Sequence, residues 1–196
     1  MPVHIAWTTE LGQLAAVEAD PEDMATHAEA LARGYNDPQN ASLMGHTETI
    51  EPAEVIASYA ERLADGSRAF LLFRDHQLVG DADLRNFRDG AAEFAFMIGD
   101  PNAQGKGLGT RFAIMIHAFG FHHLDLDRMF ASIIAHNTAS RRVFEKLGYV
   151  VDHSAAARAF ADEPDDVVMS VDVSAFSRQC HPAVGGLVIH ERAVGA

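Results

Sequence analysis

Apolar and polar positions along the chain repeat in two periods, and the switches between them mark out the elements. Residues 3–7 suit a first strand. Residues 22–34 predict a helix, with Asp20-Pro21 as its start signal and Gly34 near its end. Residues 35–50 are polar, hold Pro38 and several turn formers, and predict a loop. A second helix follows over residues 52–63, stopped by Asp65-Gly66. Residues 69–73 and 78–84 predict strands joined across Asp75-His76-Gln77. The turn at Arg88-Asp89-Gly90 leads into a third apolar strand, residues 91–98. After a glycine-rich stretch, residues 110–122 predict a helix, with Phe112, Ile116, Phe119 and Leu124 as an apolar stripe facing a sheet. Residues 129–135 predict a strand and residues 139–147 a helix ended by Gly148. Residues 150–153 and 167–173 supply the last strands. Hairpins followed by strand–helix–strand units define an α/β fold, a mixed and mostly antiparallel central sheet of about six to seven strands with helices on both faces.

At 196 residues and 48% hydrophobic content, one core and one domain over residues 1–173 are expected. Residues 174–196 remain unassigned, as a C-terminal extension. No apolar run reaches the roughly 18 residues of a membrane span, and no basic region precedes an apolar core at the N-terminus. The single cysteine, Cys180, rules out an intrachain disulfide and fits a cytoplasmic setting. Cys180-His181 is better read as an incidental thiol than as a nucleophile pair. The net charge of −13 argues against nucleic acid as a partner. Its distribution is uneven: residues 1–66 hold 12 acids and 2 bases, the rest 16 acids and 13 bases. Such an excess keeps a protein soluble; it also attracts cationic acceptors.

Residues 104–109 read Gln-Gly-Lys-Gly-Leu-Gly and run straight into a predicted helix. Glycines leave their N–H groups uncovered, and a helix start adds unpaired donors and a positive dipole end, a site suited to a pyrophosphate. A Walker A loop needs four residues between its first Gly and Gly-Lys; here five separate Gly99 from Gly105. The dinucleotide fingerprint needs Gly-x-Gly-x-x-Gly, which this loop also lacks. The second informative segment, His136 to Tyr149, has the form Asn-x-x-Ser, a short helix, then Lys-Leu-Gly-aromatic.

In this order and spacing the two segments resemble the acetyl-CoA motifs of GCN5-related N-acetyltransferases (GNAT), most closely over residues 68–152 and in the branch of ribosomal-protein N-terminal and spermidine acetyltransferases. The resemblance implies a GNAT fold and acetyl-CoA-dependent transfer to a primary amine, by direct attack in a ternary complex. It implies no metal, and spacings among His117, His122 and His123 suggest none. Homodimers are common among such relatives. The alternative is a non-catalytic acyl-CoA-binding sensor or regulatory module.

Carried onto this chain, the resemblance gives the pyrophosphate to Gln104, Gly105, Lys106, Gly107, Leu108, Gly109 and Thr110, and the pantetheine arm to Met97, Ile98 and Asn137, with Ser140 nearby. Asn137 and Ser140 also suit a helix cap. Glu93, eleven residues before Gln104, stands where histone-type members carry a general base. It is the only acid in residues 91–99, and an apolar setting favours a carboxylate that takes a proton near neutral pH. Phe144 occupies the place where many members carry a thiolate-protonating Tyr, which is the feature that favours the sensor. His136 is a candidate proton shuttle, and Tyr149 a core aromatic. Tyr35, Glu48 and Glu51, with Glu54 beside them, are the candidate contacts for a cationic amine.

Overall fold

The computed structural model describes residues 1–192. The chain runs β1 (Val3–Thr9), β2 (Gly12–Glu18), α1 (Pro21–Tyr35), α2 (Pro38–Met44), α3 (Pro52–Ala64), β3 (Arg68–Arg74), β4 (Gln77–Arg88), β5 (Ala91–Ile98), α4 (Leu108–His123), β6 (Arg128–Ile133), α5 (Thr138–Lys146), β7 (Val150–Val151), α6 (Ala155–Arg158), β8 (Val167–Asp172), α7 (Val173–Val184) and β9 (Leu187–Glu191). Among the described residues these strands form one nine-stranded sheet in the order β7-β8-β6-β5-β4-β3-β2-β1-β9.

Local chemistry starts the helices where they start. Asp20 accepts from the N–H groups of Glu22 and Asp23 at 2.9 Å each, and Pro21 supplies the first turn of α1. Pro52 does the same for α3, where Glu54 reaches back to the Glu51 N–H at 2.7 Å. The segment expected as a loop over residues 35–50 contains α2. Asp37 caps it through Gln39 and Asn40, and Gly45 ends it.

The sheet exceeds the expected six to seven strands for two reasons. β2 folds back on β1 as a hairpin, with Ala6 opposite Ala15. Residues 174–196, left unassigned by sequence, contribute most of α7 and all of β9, which pairs with β1 on its outer side; the part beyond residue 192 lies outside the described residues. Arg192 then donates to Asp23 and to the Glu18 carbonyl. β7 is two residues long, shorter than the expected 150–153.

Apolar groups gather on both faces. The larger core lies between the sheet and α4, α5 and α7, with Phe94, Phe112, Met115 and Phe176 fully covered. A smaller core joins α1 and α3 to the other face through Met24, Leu31, Val55, Tyr59 and Leu71. A third lies under α6, where the Phe130 and Phe160 rings stack at 4.2 Å. Because α4 is enclosed by the sheet, α5 and α7, it is apolar on nearly all sides. Its one buried titratable group, His117, lies 2.7 Å from the Ala113 carbonyl through Nδ1 and 2.6 Å from the Tyr149 hydroxyl through Nε2. Nδ1–H therefore donates, Nε2 accepts, and the ring is neutral.

Burial lowers the His117 pKa from 6.5 to about 3. Below pH 6.5 the unfolded chain binds a proton that the folded chain refuses, so stability falls as pH drops through 6.5 and goes on falling to about pH 3. In His117→Gln this contribution is absent. From pH 7 to pH 5 the wild type should lose about 2 kcal/mol more than the variant in urea unfolding; equal losses would exclude the buried neutral ring.

Candidate active site

β5 and β6 are parallel neighbours over three residue pairs, Ala91–Arg128, Ala92–Met129 and Glu93–Phe130. Beyond Glu93, no strand among the described residues pairs with β5 on that side, while its pairing with β4 continues to Gly80–Ile98. A wedge therefore opens between β5 and β6. A Cβ on Gly80 would stand 1.9 Å from the Met97 carbonyl oxygen, so only glycine lets β4 approach β5 there.

At the wide end lies the glycine loop. Gly105 and Gly107 have φ of 71° and 86°, the left-handed region that glycine enters without strain. Among the described residues no acceptor takes the N–H groups of Gly105, Lys106 or Gly107. The first intrahelical bond of α4 is Arg111 N–H to Gly107 at 3.2 Å, so Leu108, Gly109 and Thr110 add the unpaired donors of a helix start. Gly109 packs against the Phe96 ring, Leu108 and Thr110 are buried, and Lys106 is exposed.

Two side chains thought to meet the cofactor are engaged within the protein. Gln104 donates to the Ile98 carbonyl and to Asn40 Oδ1, each at 2.7 Å. Asn137 Oδ1 caps α5 through Ser140 N–H at 3.0 Å, and its amide donates to the Leu43 carbonyl at 3.1 Å. Asn40 also donates to the Gly34 and Gly99 carbonyls. α2 thus bridges the wedge, tied to the end of β5 through Asn40 and to the β6–α5 turn through Leu43. His136 is exposed beside Ser42, with Nε2 3.1 Å from its carbonyl. Phe144 is buried among Phe94, Phe96 and Tyr149. Neither Phe144 nor Tyr149, whose hydroxyl is held by His117, offers a proton to the wedge.

On the α1–α3 face, β4 and β5 carry a row of charges. Glu93 is 1% exposed, and both its oxygens are taken: Arg85 Nη2 at 2.6 Å and Asn86 Nδ2 at 2.7 Å. Asn86 reaches it from a left-handed backbone, φ 55°, where the β4–β5 register shifts. Arg85 also holds Asp162 at 2.7 Å, and Arg62 of α3 holds the buried Asp83 at 3.1 Å. Asp81 accepts from the Tyr35 hydroxyl. Burial raises the Asp81 carboxyl to about 6; the Tyr35 hydrogen bond opposes this and the nearby Asp83 charge adds to it. Burial, reinforced by Asp81, pushes the Tyr35 hydroxyl well above its usual range and keeps it a donor.

Tyr35 and Asp81 line a cavity of about 250 Å³ between α1, α3 and the sheet, with Glu54 and Arg62 also on its wall. Glu48 and Glu51 are exposed and stand outside that lining. Much of the N-terminal acid excess is consumed elsewhere, Glu18 by Arg68 and Asp23 by Arg192. Asp81 is a site residue beyond those expected from the sequence. Its signal was the alternation Asp81-x-Asp83-x-Arg85, which places three charges on one face of a central strand. Among the described residues no group of three or more His, Cys, Asp or Glu is placed to hold a metal ion.

Residues 16–150 match the acetyltransferase (GNAT) domain family, well over half of the 196-residue chain, and the chain belongs to that family. It is 36% identical to the probable N-acetyltransferase YjcK of Bacillus subtilis (strain 168) over 100 residues; these cover 48% of this chain and 55% of that protein, about half the length of each. Its structure is similar to Mycobacterium smegmatis RimJ in complex with CoA-disulfide, with a TM-score of 0.71 at 15% identity over 94% of this chain and 95% of the other. The spermidine N-acetyltransferase from Vibrio cholerae in complex with CoA and spermine matches with a TM-score of 0.65 at 19% identity, over 83% and 97% of the two chains. At these identities the two structures share the fold with this chain.

The Arg85–Glu93 pair gives a direct test of the charged row. Removing one partner of a buried ion pair leaves the other charge unmatched and costs about 3–5 kcal/mol. Arg85→Met should lose that much in denaturant unfolding, and adding Glu93→Gln to it should restore part of the loss. A double variant whose loss equals the sum of the losses in Arg85→Met and in Glu93→Gln alone would show that the two side chains act independently.

Proposed function

We propose that this protein transfers the acetyl group of acetyl-CoA to a primary amine by direct attack within a ternary complex. One observation carries the reading: a loop of uncovered N–H donors opens a buried helix at the wide end of a wedge between two parallel strands. Such a loop neutralises a pyrophosphate by backbone dipoles alone. The family membership and the CoA held by the similar structures support the same ligand.

Bound acetyl-CoA supplies an activated acyl group as a thioester. The residues of this chain then have separable tasks. The N–H groups of residues 105–110 hold the diphosphate, with Lys106 free to reach it from outside. The unpaired edge of β5, at Met97 and Ile98, lies along the pantetheine arm, and an N–H there stabilises the developing oxyanion. Asn137 and Ser140 fix the start of α5, which forms the opposite bank of the wedge. The cavity beside Tyr35 and Glu54 takes the amine. Because Phe144 cannot donate a proton, the leaving thiolate is protonated through solvent. Steady thiol release with an amine separates this reading from a non-catalytic acyl-CoA sensor.

A bulky residue at position 107 should block the cradle. Gly107→Val places a branched Cβ on a left-handed backbone whose N–H groups face the phosphates. Calorimetry should show acetyl-CoA affinity lowered by at least about tenfold, a change worth roughly 1.4 kcal/mol. Undiminished affinity in a folded Gly107→Val protein would sink the assignment of this loop.

A further inference from the structure

One buried carboxylate oxygen on the α1–α3 face has no partner among the described residues. Oδ1 of Asp81 is sealed from solvent and accepts no hydrogen bond among the described residues, a costly arrangement unless a ligand completes it. Its other oxygen takes the Tyr35 hydroxyl. The cavity that Asp81 lines, about 250 Å³, is also walled by Ile50, Glu54, Tyr59 and Arg62. Arg62 is held by Asp83 at 3.1 Å, and among the described residues Asp81 and Glu54 have no ion-pair partner. The uncompensated charge at this cavity is therefore negative.

Position supports the same use. Asp81 stands opposite Met97 in the β4–β5 register, and such cross-strand pairs lie about 5 Å apart on one face. Met97 belongs to the stretch of β5 that has lost its β6 neighbour, where the proposed function puts the thioester. Glu93 lies four residues back, roughly 13 Å along the strand, with both oxygens already occupied. The groups facing Asp81 are Tyr35 from α1, Glu54, Tyr59 and Arg62 from α3, and Asp83 and Arg85 on its own strand; β3 offers only Leu71 opposite it.

We infer that Asp81, and not Glu93, is the base of the reaction, and that its substrate is a primary ammonium whose N–H donates to Oδ1. The assignment rests on the acetyl-transfer reading and supplies that reading with its base. The ammonium gives one proton to Oδ1, which frees the nitrogen lone pair. Nitrogen bonds to the thioester carbonyl carbon and the carbon–sulfur bond breaks. The nitrogen then loses its second proton, one proton is taken up by the departing thiolate, and Asp81 returns its own to solvent. The products are an N-alkylacetamide, free CoA thiol and one proton.

The test is steady-state thiol release from acetyl-CoA, with n-butylamine and spermine as probe acceptors, between about pH 5 and about pH 9. Wild type, Asp81→Asn, Tyr35→Phe and Glu93→Gln are compared, and the acetyl-CoA affinity of each is measured by calorimetry. Asp81→Asn should keep its acetyl-CoA affinity, lose about 10²- to 10⁴-fold in kcat/KM, and lose the acid limb of the wild-type profile. Tyr35→Phe removes the hydrogen bond that holds the Asp81 carboxyl down, so it should move that limb to higher pH. Glu93→Gln should leave the limb in place. An Asp81→Asn protein with wild-type rate and profile, or a limb abolished by Glu93→Gln instead, overturns the inference. So does loss of acetyl-CoA affinity in Asp81→Asn, which would make Asp81 a support of the cleft. A wild type that binds acetyl-CoA yet releases no thiol with either probe overturns the acetyl-transfer reading itself, and this assignment with it.

Discussion

The arrangement of the site depends on one short parallel contact. β5 and β6 pair over three residues and then diverge, because the two strands lead into different structures. β5 continues its ladder with β4 and ends in the glycine loop, whereas β6 turns at Asn137 into α5. Parallel neighbours need a long crossover between them, and α4 is that crossover. Its N-terminus is thereby delivered to the mouth of the wedge, and its body is sealed into the larger core. The donors of the loop and the unpaired edge of β5 are two results of the same divergence.

The charged row on the other face stands in tension with stability. Asp83 and Glu93 are buried and rely on Arg62 and Arg85, while Asp81 has a hydroxyl on one oxygen and, among the described residues, no hydrogen bond on the other. Buried ion pairs of this kind seldom stabilise a fold relative to well-packed apolar groups. Their effect here is geometric. Arg85 and Asn86 fix Glu93, Arg62 ties α3 to β4, and Tyr35 ties α1 to the same strand. The walls of the cavity are thus set by the charges beside it.

Much of this was legible in the sequence, for reasons that differ from element to element. Residues 91–98 read as a strand because the run is short, apolar and bounded by turn formers, and β5 has those limits. The glycine loop was visible because glycines at such spacing have few other uses. β2 was hidden by its alanines, which carry weak strand preference. α2 is only seven residues long, too short for a helical period to show, although Asp37-Pro38 and Gly45 were there to mark its ends. β9 owes its place to a partner 180 to 188 residues earlier in the chain, a pairing that no local pattern announces. Asp81 was overlooked since a charged residue in a strand is ordinarily taken for the solvent side, and the helices that cover this face become apparent only in three dimensions.

The contact between Gly80 and Met97 sets unequal limits on how this chain can drift. At Gly185 an added methyl group would meet open space, and the backbone there suits any residue. At position 80 the smallest side chain would collide with a peptide oxygen, and that oxygen cannot turn aside without unzipping the β4–β5 ladder. Side chains on the cavity wall that lie off this ladder, Ile50 and Glu54 among them, can change without disturbing it. Descendants of this sequence can therefore reshape the cavity by substitution on its walls, while the spacing of the two strands beneath it stays fixed.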